Sequence, residues 1–173
     1  MGDAVAAPAG EHADPRCLGP GEGAELLAGA GWRRAVVLGD STTDSAGMTV
    51  VPGWARAPWT DRVTDALRDA HPRFACLHPR GRRELPLSHV RSTQLGDALD
   101  FNGDLALLAC GGPELRARSF DPDAMEFELS RILAALRGGT CQVVLVVSPF
   151  DLTKAGEVPA AQGMTSRAEP MPS

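Results

Sequence analysis

At 173 residues the chain has room for one domain with a sizeable core. Hydrophobic residues make up 43% and charged residues 23%, an ordinary globular balance. The formal net charge of -5 argues against a nucleic-acid binder, which carries a basic face, and no run nears the roughly 18 apolar residues of a membrane span.

Residues 1–31 are rich in Gly, Ala and Pro, and only "GAELLAGAG" can form a helical turn, so a disordered leader is expected there. The stretch has no basic segment followed by an apolar one, so no secretory signal is read and a cytoplasmic location is expected. From residue 32 to 152 apolar runs alternate with helical patterns. "RAVVLGD" is a continuous apolar run ended by Gly, the pattern of a strand buried on both faces. "APWTDRVTDALRDAHP" places Trp59, Val63, Ala66, Leu67 and Ala70 at helical spacing, and Pro72 stops it. "RFACL" is a second strand, and "PLSHVRSTQLGDAL" reads as one helix, weakened by Gly96. "DLALLAC" is a third strand.

"FDPDAMEFELSRILAALRGG" is the clearest helix: Asp121 can cap it, Pro122 suits its first position, and Gly138 follows its end. Met125, Leu129, Ile132, Leu133 and Leu136 form its apolar stripe. "CQVVLVVS" is a fourth strand, and residues 153–173 lack periodicity and read as a disordered tail. Cys17, Cys76, Cys110 and Cys141 are too far apart for a zinc ribbon or a dense disulfide scaffold, and buried free thiols are expected. Strand–helix repetition implies an α/β fold with a parallel sheet of about four strands and helices on both faces. Ligands of such folds bind beyond the carboxyl ends of the strands. That places the chemistry in "GDSTTDSAG", "HPRGRR", "GGPELRARS" and "SPFDLT".

Over about residues 33 to 150, "VVLGDSTTDS", "GWARAPWTDRVTDALRDAHP", "FACLHPRGRR" and "DLALLACGGPELRARSFDPDAMEFELSRILAAL" resemble, in order and spacing, the blocks of the SGNH hydrolases, or GDSL-type esterases. The resemblance implies a flavodoxin-like three-layer α/β/α sandwich. It also implies hydrolysis of a small ester or acyl substrate through an acyl-serine intermediate, with no metal and no organic cofactor. Ser41 would be the nucleophile, and the backbone N–H groups of Ser41 and Gly81 would hold the oxyanion. Gly112 marks the third block.

Three departures weaken that implication. The third block's Asn is replaced by Pro113, followed by Glu114, and Pro has neither a side-chain amide nor a backbone N–H. Losing one oxyanion donor costs about 10²–10³ in rate. Cys76 stands about where the second block opens with Asn. The family's final Asp-x-x-His block, after its fifth strand, is not reached, and no His follows His89. Without its base a triad enzyme loses on the order of 10⁶ in turnover. His78, in the second block, is the one candidate substitute base, although a loop His is more often a surface residue. Weak or absent esterase activity is therefore expected.

Two other classes compete. Without a fifth strand "CQVVLVVS" is an apolar edge, which suits a non-catalytic module completed by a partner or a second copy. "DSTTDS" can also be read as a flavodoxin-like phosphate or flavin loop, but Asp40 and Asp44 would repel phosphate and no Gly lies inside it. Arg80, Arg82 and Arg83, with Arg73 and Arg91 nearby, read first as a solvated face and second as a grip on a ligand carboxylate or phosphate. Trp54 and Trp59 are expected to pack on the sheet, and Glu114 to pair with Arg116 at the surface.

Overall fold

The computed structural model describes residues 10–44, 50–79 and 85–147. Four parallel strands form one sheet in the order β2-β1-β3-β4: β1 Arg34–Gly39, β2 Ala75–Leu77, β3 Leu105–Ala109 and β4 Val143–Val146. Six helices surround it: α1 Glu22–Leu27, α2 Trp59–Ala70, α3 Leu87–Thr93, α4 Leu95–Phe101, α5 Gly112–Arg116 and α6 Pro122–Gly138. The class is α/β, as expected from the strand–helix alternation, and the all-parallel sheet with helices around it is flavodoxin-like.

Alternation along the two central strands builds two cores. Val36, Leu38, Ala106 and Leu108 face α3, α4 and α6, where Leu87, Val90, Ile132 and Leu136 are buried against them. Ala35, Val37, Leu105 and Leu107 face the other way, onto Leu67 of α2 and Phe74. Burying each large aliphatic side chain contributes about 1.5–3 kcal/mol. β1 and β3 pair in register from Ala35↔Leu105 to Gly39↔Ala109. Asp104 ties the start of the sheet together. Its carboxylate accepts from the backbone N–H of Arg33 and Arg34, and its carbonyl accepts from Gln142 and Val143.

α6 starts as its sequence implies, with the Asp121 carboxylate accepting from Ala124 N–H and Pro122 in the first turn. Ile132 and Leu136 are buried, while Met125, Leu129 and Leu133 pack partly buried on the same core. Three expectations change. "PLSHVRSTQLGDAL" is two helices, α3 and α4, separated at Gln94. Residues 10–31 carry more structure than a disordered leader: α1 packs on α2, and Glu11, in a 3-10 turn, binds Arg62 of α2. The four cysteines are free but only partly buried. The tail, 153–173, lies outside the described residues.

Candidate functional site

The chain runs from β1 through α2 on one face to β2, then back across the other face to β3. The winding therefore reverses between β1 and β3, and the crevice beyond their carboxyl ends is the natural ligand position of an open α/β sheet. Two loops meet there: Asp40 to Asp44 after β1, and Cys110 to Gly112 after β3.

The approach of these loops requires glycine. Gly39 has φ of 150°, and a Cβ added there would lie 2.0 Å from the Ala109 carbonyl oxygen. Gly111 has φ of 100°, and an added Cβ would meet Met125 Cε at 2.7 Å. At Gly39 both strain and space exclude a side chain, whereas at Gly111 the backbone conformation does, since the end of the Met125 side chain could move aside.

Ser41 opens a 3-10 turn, Ser41–Thr43, whose N-cap is Asp40. The Asp40 carboxylate, 5% exposed, accepts from Thr42 N–H at 2.9 Å. Every carbonyl of the turn is used. Asp40 O accepts from Thr43 N–H and Oγ1, Ser41 O from Asp44 N–H, Thr42 O from Trp59 Nε1, and Thr43 O from Thr60 Oγ1. The main chain of the turn is therefore rigidly held. Ser41 itself is half-buried, and its hydroxyl makes no hydrogen bond to any described residue.

His78 lies beside this turn, with its side chain 8% exposed, but it faces Thr43 and Asp61. Nε2 is 3.4 Å from Thr43 Oγ1, and Nδ1 is 3.8 Å from Asp61 Oδ1, an ion-pair separation when the ring is protonated. Thr43 already donates its hydroxyl proton to Asp40 O at 2.8 Å. Among the described residues His78 Nε2 therefore faces the hydroxyl of Thr43, whose proton goes to Asp40 O, and not the hydroxyl of Ser41. Gly81 lies outside the described residues, as do Arg80, Arg82 and Arg83.

On the β3 side, Gly112 and Pro113 begin α5. Glu114 does not pair with Arg116. Its Oε1 accepts from Leu87 N–H at 2.6 Å, at the start of α3, and its Oε2 is buried without a partner among the described residues. Burial pushes the Cys110 thiol up to about 12, and Asp40 and Glu114 add to the effect, so it stays protonated and is no nucleophile at neutral pH. Trp59 packs partly buried on the sheet, whereas Trp54 is 36% exposed.

Sequence patterns did not single out Gln94. β2 pairs with β1 only from Arg34 to Val36, so nothing in β2 meets the far end of β1. Gln94 fills that gap: its Oε1 accepts from Gly39 N–H at 2.9 Å and its Nε2 donates to Gly39 O at 2.8 Å. One side chain replaces a missing strand residue directly before the Asp40–Ser41 turn.

Among the described residues no group of His, Cys, Asp and Glu could hold a metal ion, and no helix is long and apolar enough to cross a membrane. No protein-family model and no curated protein sequence matches the chain.

Proposed function

We propose that this is a serine-hydrolase-like α/β domain of the SGNH type, in which the nucleophile position persists and the acyl-transfer machinery is incomplete. The ancestral reaction is hydrolysis of a small ester or acyl group. Ser41 Oγ would attack the acyl carbon, the alcohol would leave with a proton, and water would then cleave the acyl-serine. Ser41 N–H, with Gly81 N–H by resemblance, would stabilise the oxyanion. The observation that carries the reading is the position of Ser41 at the winding reversal, on a turn whose every carbonyl is held, with a hydroxyl that no described base engages. A serine hydroxyl without a base is a poor nucleophile.

The test is hydrolysis of p-nitrophenyl acetate by the full chain. We expect turnover close to the buffer rate, unchanged in Ser41→Ala. Turnover near the common enzyme range of about 10 per second, abolished by Ser41→Ala, would overturn the incomplete-site reading.

A second reading, a non-catalytic interaction module, is favoured by β4. It is the edge of the sheet among the described strands, with Val143, Leu145 and Val146 39%, 46% and 41% exposed.

A further inference from the structure

We propose that the amino end of the sheet, opposite Ser41, carries a binding site for a phosphate monoester. A cavity of about 580 Å³ opens there between the start of β1 and the turn after α2, lined by Arg33, Arg34, His71, Pro72, Arg73 and Ala75. Three of its described lining residues are arginines and none is acidic. The chain as a whole is negative, with 17 Lys and Arg against 22 Asp and Glu, so this concentration of cations is local. Asp104, at the start of the sheet, spends its carboxylate on the backbone N–H groups of Arg33 and Arg34.

The three arginines are not equivalent. Arg34 is anchored, with Nε and Nη2 donating to Phe101 O and its guanidinium stacked 4.1 Å from the Phe101 ring centroid. Arg33 is held through Nη1 alone, by Ala30 O and Trp32 O at 2.8 Å each, which leaves its Nε and Nη2 without a described partner. Arg73 makes no hydrogen bond or ion pair with any described residue. Arg33 thus offers a pre-positioned donor edge and Arg73 a whole free fork, suited to a tetrahedral dianion. The same wall holds His71, whose Nε2 is buried without a partner among the described residues.

The end of α2 opposes an anion here, since its carbonyls point toward His71 with about half a unit of negative charge. The guanidinium groups of Arg33 and Arg73, with donors that no described residue takes, oppose that partial charge. The volume also exceeds what a bare ion needs, because a water occupies about 30 Å³ of liquid and small-molecule pockets run from about 300 to 1,000 Å³. An organic portion attached to the phosphate is therefore expected.

Calorimetric titration of the full chain with phenyl phosphate, inorganic phosphate and benzoate tests this site independently of Ser41. We expect saturable binding of phenyl phosphate, weakened at least about tenfold in Arg73→Gln and in Arg33→Gln, and unchanged in Arg118→Gln, an exposed arginine outside the cavity. Arg73 has no partner to lose, so its variant should keep the fold, which circular dichroism checks. No saturable binding, or binding in both cavity variants as tight as in the unmodified chain, overturns the proposal. Benzoate or inorganic phosphate binding as tightly as phenyl phosphate overturns the assignment to a phosphate ester.

Discussion

Gln94 shows how one side chain can set the geometry of a candidate site. It is 5% exposed and satisfies both polar groups of Gly39, so removing its amide leaves a buried N–H and a buried C=O unmet. Each unmet group costs about 1–3 kcal/mol. Gln94→Leu should therefore lower the unfolding free energy by about 2–6 kcal/mol in urea titration, with little change in slope. Gln142→Leu, at an exposed position, should stay within about 0.5 kcal/mol and serves as the control. A Gln94→Leu midpoint equal to that of the control would show that the clasp contributes nothing. The position of Ser41 was legible, because an apolar run ending in Gly-Asp-Ser can only place that hydroxyl at the end of a strand. The partners of the turn were not. Gln94 lies 55 residues from Gly39, and His78 lies 35 from Thr43, so neither contact leaves a local pattern. The Thr43 hydroxyl, which His78 Nε2 faces at 3.4 Å, reads in sequence as one more turn residue.

At the scale of elements, the strongly periodic segments were legible and the long-range ties were not. α6 could be read from its cap, its proline and its stripe because each acts within a few residues. The division of α3 from α4 could not, since it occurs where Gln94 reaches across to β1. The N-terminal segment is a similar case, held by the packing of α1 on α2 and by a charged contact to α2. Arg62 pairs with Glu11 and also donates to the carbonyls of Ala55 and Ala57, while Glu11 Oε2 accepts from Ala55 N–H at 2.9 Å. The Arg62 hydrogen bonds, followed by that of Ala55, hold the Glu11 carboxyl down to about 2, against an ordinary value of 4.5. A folded-state value below the unfolded one stabilises the attachment above pH 4.5 and loses that contribution as pH falls toward about 2. Hydrogen exchange at Ala55 N–H, corrected for its intrinsic pH dependence, should lose protection across that window. Glu11→Gln should be poorly protected already at neutral pH and show no such step. Protection in the unmodified chain that is flat across the window would mean that the carboxylate does not hold the segment.

For the molecule as a whole, the two sides of the sheet differ in how they end. β2 is short and lies at one edge, with its residues partly buried. β4 lies at the other, and three of its four residues are more than a third exposed. Because side chains alternate across a strand, exposure at both Leu145 and Val146 means that neither face of β4 is fully covered by the described helices. Among the described residues such a strand presents both apolar side chains and a row of unpaired backbone groups, the combination that recruits another strand. If β4 is the working surface, the purified chain should associate through it. Light scattering at micromolar concentration should then report a discrete mass near twice the 18.2 kDa of one chain. Leu145→Lys and Val143→Lys should return it to the monomer, because a lysine on an edge strand disfavours edge-to-edge pairing. Neither residue belongs to the buried core, so the thermal midpoint of each variant's monomer should change little. A monomeric parent chain at the highest soluble concentration removes the self-association form of the module reading. A dimer that survives both lysines places its interface elsewhere and leaves β4 without that role.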